Sequence, residues 1–241
     1  MGTKIGLGIG LLALSLLMNS CDYESIRVSD TLETRNFSVP DYSGIEVSHT
    51  FNAYVRFSES EETIAIEANA NVQDRIVVEK EGNTLRIRLK RHTKLRGDVV
   101  LNAYITTRDL SNIRTSGASN LLLETPWVTS NANINVSGAS DLQGEVDVET
   151  LRIAASGASS IDLFGKADSV TAELTGSSDF RDYDLNVNEL DIVLHGASDA
   201  WLSVNESISI DASGASEFRY RGNAEIRHEK LSGASEIIQV D

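Results

Sequence analysis

The feature that most constrains this chain is a tetrapeptide that returns at an almost fixed interval. Ser-Gly-Ala-Ser occupies 116–119, 137–140, 156–159, 213–216 and 232–235, with the variants Thr-Gly-Ser-Ser at 175–178 and His-Gly-Ala-Ser at 195–198. Its glycines are Gly117, Gly138, Gly157, Gly176, Gly196, Gly214 and Gly233, at intervals of 21, 19, 19, 20, 18 and 19 residues. A period this constant predicts a solenoid, in which each repeat is one coil that buries its apolar side against its neighbours.

The residues around the motif say what a coil is made of. Before Gly157, Leu151, Ile153 and Ala155 alternate with polar or small residues; after it, Ile161 and Leu163 flank Asp162. Both arms read as strands with one inward face. A glycine at each corner fits a bend with positive φ, or a close approach of neighbouring coils. The expected fold is all-β: a single-stranded parallel β-helix of about 19–20 residues per coil. At ~3.3 Å per residue the perimeter is roughly 65 Å, small enough for Ile, Leu, Val and Ala to fill.

The N-terminal half departs from the motif and keeps its logic. The stretch 45–55 (IEVSHTFNAYV) overlays on 113–123 (IRTSGASNLLL), so that Ser48 matches Ser116, Asn52 matches Asn120 and His49 stands in for the corner glycine. Alternating strand patterns follow at 63–68, 76–79, 85–89 and 99–105, with a turn signal at Glu81-Gly82-Asn83. The expected body is one domain over 37–241, with atypical coils over 37–112 and regular coils over 113–241, because end coils must shield the stack.

These segments resemble the bacterial family described as "putative auto-transporter adhesin, head GIN domain". The likeness rests on 44–48 (GIEVS), 51–55 (FNAYV), 81–87 (EGNTLRI), 109–117 (DLSNIRTSG) and the later Ser-Gly-Ala-Ser copies. It implies an exported, β-helical lipoprotein and an adhesin role that is itself an inference. After the last corner only a few residues remain, 237–241, which leaves no room for a membrane barrel of at least eight strands, so no self-transport is expected.

Lys4 precedes an apolar run over 5–18 that ends at Met18-Asn19-Ser20-Cys21. That run is short for a membrane span and reads as a signal peptide over 1–20. The only cysteine, Cys21, closes it in the manner of a bacterial lipoprotein signal, which predicts acylation (palmitate among the chains) and an envelope location at the outer membrane, with the leaflet open. Polar residues 21–36 read as a flexible tether.

A formal net charge of −15, from 21 Lys and Arg against 36 Asp and Glu, argues against a nucleic-acid partner. One cysteine and four scattered histidines (49, 92, 195 and 228) offer no disulfide, redox pair or metal-ligand spacing, so neither metal nor cofactor is expected.

Three features remain as candidate sites. Asp141, Asp179, Asp199, Glu217 and Glu236 each follow a corner and would stack into an acidic ladder, read either as a weak Ca²⁺ column or as a solvated edge that resists aggregation. Arg86, Arg88, Lys90, Arg91, Lys94 and Arg96 form a basic contact patch in an acidic body, to face lipid headgroups, an acidic glycan or another copy. Asp182 and Asp184 beside Arg181 are the best local cluster for polysaccharide cleavage. Tyr54, Trp127, Trp201, Phe218 and Tyr220 are read as core in preference to sugar platforms.

The expected function is display without turnover: a lipid-anchored envelope solenoid whose outer faces contact glycan, surface protein or itself. A polysaccharide lyase or hydrolase, and an envelope scaffold or quality-control lipoprotein with no external ligand, are the alternatives.

Overall fold

The computed structural model describes residues 24–241; the expected signal peptide and Cys21 lie outside the described residues. In chain order the strands are β1 (Glu24–Arg27), β2 (Leu32–Phe37), β3 (Gly44–Ser48), β4 (Asn52–Phe57) and β5 (Thr63–Asn69), then, after a short 3-10 helix over Ala70–Arg75, β6 (Ile76–Glu81), β7 (Thr84–Leu89), β8 (Thr93–Arg96), β9 (Leu101–Thr107), β10 (Asn112–Ser116) and β11 (Asn120–Leu123). Longer strands follow, each bending round the coil: β12 (Trp127–Gly138), β13 (Asp141–Gly157), β14 (Ser160–Leu174), β15 (Asp179–Gly196) and β16 (Asp199–Gly214). The last are β17 (Glu217–Arg221), β18 (Glu225–Leu231) and β19 (Glu236–Gln239). The molecule is a β-solenoid of about seven turns.

Strands β12 to β16 pair in parallel, each with the next. Period-two alternation sends one set of side chains inward on every coil. One inward column runs Leu85, Ile45, Ile113, Ile134, Ile153, Ala172, Ile192 and Ile210, all buried. Burying a side chain of this size is worth about 1.5–3 kcal/mol, so the column and its neighbours stabilise the stack collectively.

The N-terminal coils stack out of sequence order. β3 and β4 lie under β10 and β11 with the register that the overlay of 45–55 on 113–123 implies, Ser48 opposite Ser116 and Asn52 opposite Asn120. Beneath them sit β7 and β9, which come later in the chain. Antiparallel partners then close the base: β6 on β7, β5 on β9, and β2 on β5.

The segment expected as a tether differs from that reading. Within 21–36, β1 pairs in parallel with β8 and β2 pairs with β5. Asn69 donates to the carbonyls of Ser29 and Asp98, Asn71 donates to the carbonyl of Arg27, and Val28 is buried. These strands are held mainly by backbone pairing and by two asparagines from another segment, neither of which leaves an apolar pattern in residues 24–36 themselves.

Candidate functional site

The corners set the spacing of everything displayed on the outside. Gly157 and Gly176 have φ of +87° and +82°, and a Cβ on either would come within 2.5 and 2.6 Å of the carbonyl oxygen of the glycine one coil below. Both reasons for glycine therefore hold at once. The other five corner glycines also have positive φ, with Gly138, Gly196, Gly214 and Gly233 each lying over the preceding corner glycine. Gly117 lies over His49 instead, which adopts φ +69° itself. Below His49 the chain leaves the stack through Leu89, Thr93 and Leu95, and the resulting cavity leaves room for a side chain.

The final serine of each motif up to Ser216 is buried, and in most of them the hydroxyl turns back into the corner. Oγ of Ser119, Ser159, Ser178, Ser198 and Ser216 donates to the carbonyl three residues earlier, at 2.8–3.1 Å. The first serine points toward solvent. Nothing in the four-letter motif distinguishes the two, since only the sense of the bend decides which one is enclosed.

The residues that follow the corners form one column across the stack: Asn102, Asn52, Asn120, Asp141, Ser160, Asp179, Asp199, Glu217 and Glu236. Its lower end is an asparagine ladder, in which Asn120 donates to Asn52 and Asn52 to Asn102, at 3.0 and 3.2 Å. Its upper end is acidic, and arginine occupies the carboxylates. Arg181 bridges Asp179 and Asp199 at 2.8 and 2.7 Å, and Arg219 grips Glu217 through Nε and Nη2. Arg219 holds the Glu217 carboxyl below its usual range, whereas burial, ahead of the charge of Asp199, raises that of Asp179. Among the described residues no group of three or more metal-ligating side chains is gathered. Three of the five carboxylates, those of Asp179, Asp199 and Glu217, thus meet arginines from their own chain.

Arg181 also leaves Asp182 and Asp184, the neighbours expected to cluster with it. It lies 4.5 Å from the ring centroid of Trp201, while Asp182 accepts from the backbone N–H of Asp184. A bulge between the two coils brings Asp182 to Asp162, whose carboxyl is pushed up by burial and by the adjoining Asp182. Trp201 and Tyr183 stack across coils at 6.4 Å, with Arg221 over Tyr183 at 4.2 Å. Trp127, Phe218 and Tyr220 are buried, as read from sequence; Tyr54 and Trp201 are half-buried on the outer face. Guanidinium and ring neighbours pack against the Trp201 and Tyr183 faces that a sugar would use.

The basic segment divides. Arg86 pairs with Glu46 at 2.7 Å and also with Glu81, and Arg88 pairs with Glu79 at 2.8 Å. Lys90, Arg91, Lys94 and Arg96 instead stand exposed on β8 and the turn before it. Of the histidines, His195 contacts Ser213 Oγ at a corner, and His228 contacts Asp211.

Sequence reasoning did not single out a groove of about 620 Å³ on the strands that precede the corners. Register explains it. Outward positions of three successive coils form a grid, with Asn133, Arg152 and Thr171 in one column and Asn135, Ala154 and Glu173 in the next. Ala154 is the short member in the middle, so its neighbours rim a hollow, with Arg114 and Asn112 continuing the rim below. Among the described residues Asn135, Arg152, Thr171 and Glu173 make no side-chain hydrogen bond or ion pair. A short residue in a column of long ones was the available signal, visible only once the period was aligned in full.

The model of the family "putative auto-transporter adhesin, head GIN domain" matches residues 41–224. The chain belongs to this family. Several crystal structures share the fold. A putative adhesin from Bacteroides fragilis superposes with a TM-score of 0.82 at 22% identity, over 89% of this chain and 100% of that one. A putative lipid binding protein from Parabacteroides distasonis gives 0.72 at 19%, over 90% and 100%. A putative adhesin from Parabacteroides merdae gives 0.70 at 17%, over 90% and 99%. Among curated proteins none matches the chain. The family and these neighbours carry adhesin and lipid-binding descriptions, consistent with an extracellular or envelope protein. Among the described residues no helix is long and apolar enough to cross a membrane.

Proposed function

We propose that this head GIN solenoid is a lipid-anchored envelope protein that binds a glycan without turnover, in the part of the groove around Ala154. The supporting observation is the grid itself. Four hydrogen-bonding side chains with no partner among the described residues sit on rigid strands around a hollow, at a coil spacing of about 4.8 Å and an along-strand spacing of about 6.6 Å. Mixed donors and acceptors at that spacing suit a hydroxyl-rich ligand, and rigid strands lower the ordering cost of binding.

The anchor is Cys21, acylated after removal of residues 1–20, with localisation at the outer membrane. Two or three acyl chains, each contributing about 0.8 kcal/mol per buried methylene, hold such a protein durably. Intact-mass measurement of protein extracted from envelopes tests it: an N-terminal acylated Cys21 is expected, and an unmodified one overturns the anchor.

The glycan reading is tested by screening the chain on a glycan array. A ligand is expected whose binding falls at least tenfold in Arg152→Ala/Glu173→Ala, and is lost when Ala154→Trp fills the hollow. An array without hits, or unchanged binding by Ala154→Trp, overturns it. The cleavage alternative finds less support, because Asp162 and Asp182 touch each other, whereas carboxyls that cleave a glycosidic bond stand about 5–9.5 Å apart across it. Release of reducing ends or unsaturated sugars from a polysaccharide would reverse that judgement.

A further inference from the structure

The ribbon formed by β1 and β8 carries a charge pattern that no contact within the described chain accounts for. Its two strands run parallel, with Ser25 opposite Lys94, Ile26 opposite Leu95 and Arg27 opposite Arg96. Alternation puts Ile26 and Leu95 on the inner face, where Leu95 packs on the core, and Arg27, Lys94 and Arg96 on the outer, exposed face. Lys90 and Arg91, also exposed, sit in the turn that leads into β8. Two arginines directly opposite one another on neighbouring strands repel. Arg86 and Arg88, a few residues earlier, have carboxylate partners; among the described residues Arg27, Arg91, Lys94 and Arg96 have no ion pair. Glu24, Asp30 and Asp98 are the acids nearest in sequence, with Asp22 next, four against the five bases.

Where this face sits in the molecule is informative. β8 follows β7, which belongs to the lowest parallel coil, so the ribbon lies at the base of the stack. Cys21 precedes β1 by three residues, a reach of about 10 Å at full extension. That is close to the distance over which a charge is felt at physiological ionic strength, about 8–10 Å. Residues 116–241 contain 7 Lys and Arg against 21 Asp and Glu, a net −14 out of −15 for the whole chain. The molecule therefore has a basic foot beside its N-terminal strand and an acidic body above it.

We infer that Arg27, Lys90, Arg91, Lys94 and Arg96 form a docking face for the anionic headgroups of a bilayer, which sets the solenoid upright on the membrane with its acidic coils directed away. This rests on the anchored reading of Cys21 for its orientation, and not for the attraction itself. Headgroup phosphates supply the negative charge that the Arg27–Arg96 pair lacks, and the same bilayer repels the body. The outcome is a defined posture for a protein held by its N-terminus, with the groove running from Thr84 in the lowest coil up past Ala154.

Vesicle sedimentation tests it, using the mature chain from residue 21 with Cys21→Ser so that acyl chains contribute nothing. At low salt, binding to vesicles of phosphatidylcholine with ~30% phosphatidylglycerol is expected to exceed binding to phosphatidylcholine alone at least tenfold, and to vanish near 0.5 M salt. Lys94→Glu/Arg96→Glu should abolish that preference, and the milder Lys94→Gln/Arg96→Gln should weaken it about tenfold. Lys166→Glu/Arg227→Glu, which makes the same charge change on the body, should preserve it. Equal binding to the two vesicle types, or equal loss from the body variant, overturns the docking face. The mass of Cys21 is read separately, so a missing lipid would overturn the anchor and leave the vesicle result standing.

Discussion

The regular coils and the base of the solenoid solve one corner in two ways. From Gly117 to Gly214, the bend is made by a glycine whose Cα faces the corner below, followed two residues later by a buried serine. In the β3–β4 coil the same places hold His49, at φ +69°, and Phe51, fully buried. Below it, Leu101 precedes Asn102 as Phe51 precedes Asn52, and it too is buried. The buried column therefore runs from Leu and Phe at the base to a file of hydroxyls above. A repeating stack needs small residues because each corner is the floor of the next. A terminal coil needs bulk, because the corner beneath it has opened.

Exchanging the two solutions is the sharpest way to break this comparison. Phe51→Ser, which gives the base the residue used above it, is expected to cost about 4 kcal/mol in urea denaturation, since it deletes a fully buried ring and leaves a cavity. Loss below 1 kcal/mol would mean that the base is no less tightly stacked than the upper coils.

Gly176→Ala is expected to cost about 3 kcal/mol, combining a left-handed backbone with a Cβ pressed on the Gly157 carbonyl. His49→Gly, at the matching place, should change stability by less than about 1 kcal/mol, because relief of its backbone is offset by the greater freedom of glycine in the unfolded chain. Equal effects at the two corners would remove the distinction.

The smallest effect concerns charge. Asp162 has its carboxyl raised above the usual 3.8 by burial and by Asp182, so its contribution to stability is present below that value and is lost as pH rises through the raised one. Asp162→Asn should therefore stabilise the protein modestly at pH 7 and leave it unchanged at pH 3, as read by thermal melts at the two pH values. The asparagine ladder at the base carries no such penalty, and Asn52→Asp should introduce one.

Much of this was legible in the residues. The seven glycines mark corners, and Leu151, Ile153, Ala155, Ile161 and Leu163 face inward as their alternation implies. The overlay of His49 on Gly117 came from matching 45–55 to 113–123, because a coil constrains its own sequence locally. Less legible were Arg181, which crosses to Asp199 eighteen residues on, and residues 24–36, whose strands are held by Asn69 and Asn71. Those contacts depend on which coil lies beside which, and a long-range pairing leaves little mark on either partner.

The sequence by itself determined the period, the inward face and the need for glycine, since each follows from a backbone angle or an alternation that repeats within one coil. Only the tertiary structure decided that β7 and β9 lie beneath β3 and β4, that arginines pair with Asp179, Asp199 and Glu217, and that Ala154 stands between longer neighbours. Strand pairing is made by backbone groups common to all residues, so the partner of a strand is set by the packing of the whole stack.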